Sequence, residues 1–295
     1  MQGLIEFTQL VISGIVIGCV YAVVALGFVL IYKASEVVNF AQGDLMMLGA
    51  FLGYTFIGIL DLPFWLGVLL AVAGMAVLGA LLDRVVLRPV LGQPTFALVI
   101  VTLGIGFIAR SVVSEVPGWG TETYSITTPF TDRVAAIGPL VVSYDDLAVV
   151  LTTAVLILVL YLFFRFTSLG IAMQATSQNQ LAAYYVGIPV KTVLSMIWAI
   201  SAATAALVGI LLAPIAFVHV NMGFIGLKAF PAAVLGGFGS VPGAIAGGLI
   251  IGVVESLSGF YLPEGFKDVA AYVVLLAVLM VRPEGLFGDA TRKRV

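Results

Sequence analysis

Uncharged stretches long enough to cross a bilayer recur along this chain, and they restrict its fold more than any other feature. Phe7 to Tyr32, Leu62 to Leu82, Pro89 to Ala109 and Leu147 to Phe164 contain no Asp, Glu, Lys or Arg. Thr192 to Leu227 is a longer uncharged run broken near Pro214, and Ala229 to Val254 is uncharged and glycine-rich. Val37 to Leu60 carries one carboxylate, Asp44, and Val269 to Val281 spans only by borrowing flanking residues. A helix needs about 20 apolar residues to cross the hydrocarbon core. Only 9% of the residues are charged, against about 25% in a water-soluble domain. Lipid must therefore replace water around most of the surface. The expected fold is an all-α polytopic membrane protein, residues 1–295 forming one transmembrane domain of about eight or nine transmembrane or re-entrant segments.

Several function classes fall away at once. The net charge of −2 gives no basic footprint for nucleic acid. One cysteine, Cys19, and one histidine, His219, leave no disulfide framework, no zinc cluster and no multi-histidine relay. There is no G-x-x-x-x-G-K-[ST], no H-E-x-x-H and no G-x-S-x-G. The chain is thus expected to be a non-enzyme that binds no metal or cofactor. Met1 to Thr8 carry no basic residue, so a cleaved signal peptide is not expected.

Orientation follows from the positive-inside rule. With the N-terminus outside, Lys33, Arg84, Arg88, Arg165, Lys191 and the tail Arg292, Lys293 and Arg294 fall on the cytoplasmic side. Val116 to Asp146, which holds Glu122, Asp132, Asp145 and Asp146 against Arg133, is then an external loop or short hairpin. Phe166 to Val190 becomes a cytoplasmic loop without charge but dense in Ser, Thr, Gln and Asn. Gln174 to Tyr185 reads as one short helix ended by Gly187 and Pro189. Ala172, Ala175, Leu181, Ala182 and Ala183 give it a small-residue face on which another protein can dock, although an ordinary interhelical loop fits the composition equally well.

Two segments are interrupted in matching halves, a sequence sign of a transport pathway. One is Val37 to Ala50, interrupted by Asn39, Gln42, Gly43 and Asp44; the other is Lys228 to Ala244, with Pro231 and the cluster Gly236, Gly237 and Gly239. Backbone freed there must be satisfied by protein or by water in a cavity. Stripes of small residues at steps of four, Gly14/Gly18/Ala22, Gly239/Gly243/Gly247 and Ala244/Gly248/Gly252, read as helix-packing faces. Asp44, Arg110, Lys228 and Glu255 are the ionisable residues at depth. Asp44 is placed to cap a half-helix and Lys228 and Glu255 to pair; these three serve structure or transport equally, while for Arg110 a structural role stands slightly ahead.

Tyr21 to Tyr32 followed by Val38 to Ala50 resembles the N-terminal signature of branched-chain amino-acid ABC transporter permeases, and most of all the shorter, H-type permease subunit. Lys228 to Leu249, Gly252 to Glu255, Leu279 to Gly288 and the closing Arg294-Val295 match as well. The loop Gly170 to Ile188 departs from the family's pattern: Met173 and Gln/Asn residues stand where charges are usual, and Gln42 stands where His is common. The resemblance implies an importer of two permeases (identical or paralogous), two cytoplasmic ATPases that bind ATP and Mg, and an external solute-binding protein, in a bacterial-type inner membrane. It makes the 166–190 loop the ATPase-coupling element, with Gly170, Gln174, Ala175, Gln178, Ala182 and Gly187 as its contact residues. The pathway candidates are then Asn39, Gln42, Gly43, Asp44, Lys228, Gly236, Gly237, Gly239 and Glu255. Aliphatic amino acids are the first expected substrate, urea or a short-chain amide the alternative. A stand-alone secondary transporter is a more distant one.

Overall fold

A computed structural model describes residues 2–90, 93–131, 133–263 and 265–288. Leu91 and Gly92 of the span read from Pro89, Asp132 of the loop, and the tail residues Arg292, Lys293, Arg294 and Val295 lie outside the described residues. Helix α1 runs Gln2–Ser35 and α2 runs Gln42–Tyr54, continued by a π-helical turn at Thr55–Ile59. α3 (Phe64–Leu82) is carried on to Val90 by a π-helical and a 3-10 turn, and α4 is Thr95–Glu115. A β-hairpin of β1 (Val134–Ile137) and β2 (Leu140–Ser143) leads into α5 (Tyr144–Phe166). α6 (Ser168–Gln178) and α7 (Gln180–Tyr185) precede α8 (Val190–Ala216). The last three helices are α9 (Phe224–Gly236), α10 (Val241–Tyr261) and α11 (Phe266–Val281).

Among the described residues, six helical stretches are long and apolar enough to cross a bilayer: Gly3–Ser35, Phe64–Val90, Phe96–Glu115, Tyr144–Phe166, Val190–Ala216 and Val241–Tyr261. α2 with its π turn, α9 and α11 are shorter. Two boundaries differ from the uncharged runs. The third of these begins near Thr95 and takes in Arg110 and Glu115, because Arg88-Pro89-Val90 belongs to the end of the preceding helix. α8 continues through Pro214 for two residues and stops where Phe217 adopts a positive φ of 59°.

α1 is apolar on every side, and from Gly18 to Ile31 every residue is buried. A helix of that kind belongs at the centre of a bundle, and α5, α8, α9 and α10 surround it. The expected small-residue stripes make the seams. A Cβ on Gly18 would stand 2.8 Å from the Cα of Leu249, and one on Gly14 2.7 Å from the Cα of Val253. From the other side, Gly248 faces the backbone of Ala22, and Gly252 that of Gly18. α10 uses its second stripe on α9, where Gly243 meets the carbonyl of Gly236 and Gly247 that of Ala232. Gly239 stands in open space and does not take part. Glycine here lets backbones touch, which supplies packing where lipid removes the hydrophobic drive.

The hairpin packs near the start of α1, where Gln9 Nε2 donates to the Val141 carbonyl at 2.7 Å. Tyr124 pairs with Val218, and Trp119 Nε1 donates to Thr55 Oγ1, so α2, α4 and α8 all finish at this hairpin end. The opposite, basic end carries Lys33, Arg88, Arg165 and Lys191. There Asp83, buried, accepts from Arg88 Nε at 3.2 Å and from Ser195 Oγ at 2.5 Å, while Arg88 Nη2 donates to the Lys191 carbonyl at 2.7 Å.

Candidate functional site: two half-helices and a helical pair at the basic end

The first broken segment unwinds over Glu36–Ala41. α1 stops at Ser35, Glu36 takes a φ of 56°, and helix resumes at Gln42. The loose backbone is satisfied from within the protein. Asn39 Oδ1 accepts from Ala41 N at 3.1 Å, and Phe40 N donates to Thr102 Oγ1 at 3.2 Å. Gln42 Oε1 accepts from Asn39 Nδ2 at 3.3 Å and from Ser201 Oγ at 3.0 Å, and its Nε2 donates to the Ser201 carbonyl. Asn39, Gln42 and Ser201 have no solvent exposure. Their network joins the break to α8, and through Gly27, whose Cβ would overlap the Gln42 amide, to α1.

The second break lies at 237–240. Gly237 has a φ of 96°, and Ser240 Oγ caps α10 by accepting from Gly243 N at 3.1 Å. The carbonyls freed at the end of α9 are met by the segment after α11: Leu286 N donates to Leu235 O at 2.8 Å and Phe287 N to Gly236 O at 3.1 Å. Gly285, φ 82°, and Gly288 lie against Gly237. The Arg282–Gly288 motif therefore ends α9, a role that its sequence alone does not reveal.

α2 and α9 begin at the same level, beside the middle of α8. A Cβ on Gly43 would strike the Gly223 carbonyl, and one on Gly226 would strike Gly43. Two half-helix N-termini, the positive ends of their dipoles, thus touch inside the bundle. Asp44 supplies the compensating charge. It does not cap α2 as expected, since the N-cap position, Ala41, has no side-chain bond. Instead its carboxylate lies against Gly106 and Gly223 and accepts from Arg110 Nε at 2.7 Å. An arginine facing it from α4 outcompetes the backbone donors, because a bond between two charged groups is the stronger. The Arg110 guanidinium carbon sits 4.3 Å from the ring centre of Phe224.

Lys228 and Glu255 do pair, at 3.2 Å, and two residues not singled out in the sequence join them. Tyr21 donates to Glu255 Oε2 at 2.5 Å, and Asp268 lies 2.5 Å from Lys228 Nζ. Spacing on a single helix cannot reveal either, because the four groups come from α1, α9, α10 and α11.

At the basic end, the expected single helix from Gln174 to Tyr185 is two. Asn179 is extended (φ −158°, ψ 103°) and its Oδ1 accepts from Ala182 N at 2.9 Å, which starts α7 afresh. Asn favours such a cap over a helix interior. Thr167 likewise caps α6 through Gly170 N at 2.9 Å. The outward face also differs from the alanine stripe. Ala183 is buried and Ala172 and Ala175 are half-buried, while Leu181, Tyr184, Tyr185 and Val186 are exposed. Gln178, Ala182 and Gly187 are exposed, and Gly170 is buried against the backbone of Phe163 and Phe164. Gln174 Nε2 donates to the Phe164 carbonyl at 3.0 Å. Gln180 Nε2 donates to the Ala34 carbonyl at 2.7 Å, tying α7 to the last turn of α1. Beside the pair opens a groove of about 710 Å³, bordered by Lys33, Arg165, Gln174 and Ser240.

Long apolar helices around two facing half-helices define a multi-pass membrane protein of the transporter kind. Residues 10–281 match the family described as branched-chain amino acid transport system / permease component. The chain belongs to that family. It is 32% identical over 303 residues to the high-affinity branched-chain amino acid transport system permease protein LivH of Salmonella typhimurium, covering 98% of each chain. LivH of Escherichia coli K12 is 31% identical with the same coverage. BraD of Pseudomonas aeruginosa, named for the same transport system, is 29% identical over the full length of both. Among solved structures, a chain of PsaBC from Streptococcus pneumoniae in complex with Fab shares the fold, with a TM-score of 0.50 at 18% identity, covering 94% of this chain and 92% of that one.

Proposed function

We propose that this chain is the permease subunit of an ATP-driven importer for branched-chain or closely related neutral amino acids, placed in the inner membrane with its hairpin end outside and its basic end in the cytoplasm. The observation that carries the reading is the family match over residues 10–281. The importer is assembled with a second permease, two ATPases that hold ATP and Mg, and an external solute-binding protein; this chain binds no cofactor and catalyses no reaction itself. α6 and α7 form the coupling element, with Gly170, Gln174, Ala175, Gln178, Ala182 and Gly187 shaping it. Its exposed Leu181, Tyr184, Tyr185 and Val186 offer an apolar, aromatic surface of the sort that a partner groove buries.

The two breaks are where the subunit bends. Gly43 and Gly226 provide a close crossing with no side chain between them, and Asn39 and Gln42 hold the first break through Ser201. Gly236 and Gly237 hold the second against the 285–288 segment, while a Cβ on Gly239 would meet nothing within 4 Å. Asp44, Lys228 and Glu255 keep charge inside the bundle in paired form. Alternation between outward- and inward-open states is then a rocking of half-helix elements around a fixed centre.

The test is leucine uptake into oriented vesicles holding this chain with its ATPases, second permease and binding protein. Uptake that requires ATP, and is lost when Gln174 to Tyr185 is replaced by a flexible linker, is the expected result. Uptake that persists without the ATPases would overturn the importer reading. ATP-dependent uptake of urea or a short amide, but not of leucine, would correct the substrate alone.

A further inference from the structure

Where the long helices meet the outside, they are apolar. On α3 the exposed side chains include Trp65, Leu69 and Val77, and on α5 Leu151, Val155 and Leu162. One face breaks this pattern. Asn221, Phe224 and Lys228 follow one another at steps of three and four through the 3-10 turn Val220–Gly223 and into α9, so they share one side. Asn221 is exposed, Phe224 is 47% exposed, and the Lys228 side chain is 30% exposed. Arg110 lies beside Phe224 on one margin, and Asp268, with 67% of its side chain open, lies beside Lys228 on the other.

This face cannot be a lipid face. α9 has 13 residues, too few to span alone. A charged side chain turned to lipid costs up to roughly 2.5–3.5 kcal/mol at the bilayer centre even on the gentlest scale, and Arg110, Lys228 and Asp268 all border this strip. Arg110 spends only Nε on Asp44, and its terminal nitrogens make no hydrogen bond among the described residues. Donors of this strength left open at the edge of a bundle require water or a polar solute.

We propose that the strip Asn221–Phe224–Lys228, flanked by Arg110 and Asp268, is this subunit's wall of the aqueous translocation pathway, and that it suits a zwitterionic solute. The second permease subunit provides the opposite wall; this part rests on the transport reading above. Two cations, Arg110 and Lys228, stand with three carboxylates, Asp44, Glu255 and Asp268. A nearly balanced strip holds neither cations nor anions by its field, yet offers partners to an ammonium and to a carboxylate alike. Phe224 lies between the two groups and gives an aliphatic side chain an apolar surface.

The experiment uses the complete transporter in vesicles, with Cys19→Ala as background and single cysteines introduced one at a time. Asn221→Cys, Phe224→Cys and Asp268→Cys probe the strip; Leu69→Cys and Val155→Cys, exposed by 63% and 58%, are the lipid-side controls. The cysteine thiolate, which forms only where water reaches it, attacks a charged, membrane-impermeant thiol reagent. Strip cysteines are expected to react at least about tenfold faster than the controls. Equal rates, or a reactive Val155→Cys beside unreactive strip positions, would overturn the assignment of the wall. Labelling needs no uptake, so a failure of leucine transport in the same vesicles would correct the function and leave the wall in place. For the recognition half, the neutral pair Asp44→Asn/Arg110→Gln removes both charges and leaves no orphan. It is expected to keep assembly and strip labelling and to lose leucine uptake at least about tenfold, the scale of one lost charge-assisted contact. Uptake within about twofold of the parent would remove Arg110 from recognition.

Discussion

Gly18→Ala isolates the α1–α10 seam better than any other single change. The added methyl carbon would stand 2.8 Å from the Cα of Leu249 and 3.1 Å from the Gly248 carbonyl oxygen. Carbon pairs rest at about 3.5–4.0 Å, so α1 and α10 must separate by about 0.7–1.2 Å at this point. Neither obstacle is a flexible side-chain end that can swing away. A radial gap of that size forfeits about a quarter to a half of the dispersion well along the neighbouring contacts, and overpacking of this kind costs about 1–3 kcal/mol. Alanine also gains roughly 0.8–1 kcal/mol in helix propensity over glycine, which would blur the reading. Gly104→Ala cancels that gain, because Gly104 lies within α4 with nothing within 4 Å of its Cβ position. The difference between the two variants is then the seam alone, about 1–3 kcal/mol, or roughly 5- to 150-fold in the unfolding equilibrium. Thermal midpoints of the purified complex, followed by tryptophan fluorescence, should place Gly18→Ala below Gly104→Ala by on the order of 2–10 °C. A Gly18→Ala protein that melts with or above Gly104→Ala would show that the seam yields and that glycine is not needed there.

The charged clusters and the coupling pair give sharper contrasts. Asp44→Asn should destabilise, by less than the about 3–5 kcal/mol of a fully buried pair because Arg110 is part exposed; Asp44→Asn/Arg110→Gln should recover part of the loss in a double-mutant cycle, and additive losses would deny the pairing. Tyr21→Phe removes one donor to the buried Glu255 carboxylate and should cost about 1.5–3 kcal/mol by the same thermal assay. Asn179→Ala should loosen α7 by about 1 kcal/mol, seen as faster amide exchange over Gln180–Tyr185 with the rest of the bundle unaffected. Gln180→Ala should leave assembly with the ATPases intact while ATP hydrolysis drives less uptake per turnover; an unchanged ratio of uptake to hydrolysis would exclude Gln180 from the transmission path.

Legibility in the sequence followed the range of the forces involved. Spans, the two breaks and the glycine stripes could be read because each rests on a local pattern: a run without charge, a Gly/Pro interruption, a repeat of four. Even the partnering of stripes was half visible, since Gly14/Gly18/Ala22 and Ala244/Gly248/Gly252 have the same spacing. What escaped depends on groups far apart in the chain. Asp268 and Tyr21 reach the Lys228–Glu255 pair from α11 and α1, and Arg110 draws Asp44 away from the helix end that it was expected to cap. The α6–α7 split had a usable signal, Asn179 amid alanine and glutamine. It was masked because Gln178, Gln180, Leu181, Ala182 and Ala183 beside it are good helix formers, so the summed propensity outweighed the one residue that prefers a cap.

The distance between the basic end and the buried breaks raises the question of how one could act on the other. α7 holds the Ala34 carbonyl through Gln180, one residue before α1 ends and two before Glu36 turns left-handed. From Gly18 to Ile31 α1 is buried on all sides and clamped to α10 by backbone contact, so this half is poorly suited to bending. The compliant element is the six-residue stretch Glu36–Ala41, anchored at its far side by Asn39, Gln42 and Ser201. A displacement at α7 therefore either moves α1 as a rigid rod or is taken up in this stretch. In the first case relative motion reaches the Gly43–Gly226 crossing, where neither residue has a side chain; in the second it stays in Glu36–Ala41. If α7 couples to the ATPases as proposed, a push carried by α1 would have to cross the buried Asn39–Gln42–Ser201 network before it reached the point where the half-helices meet.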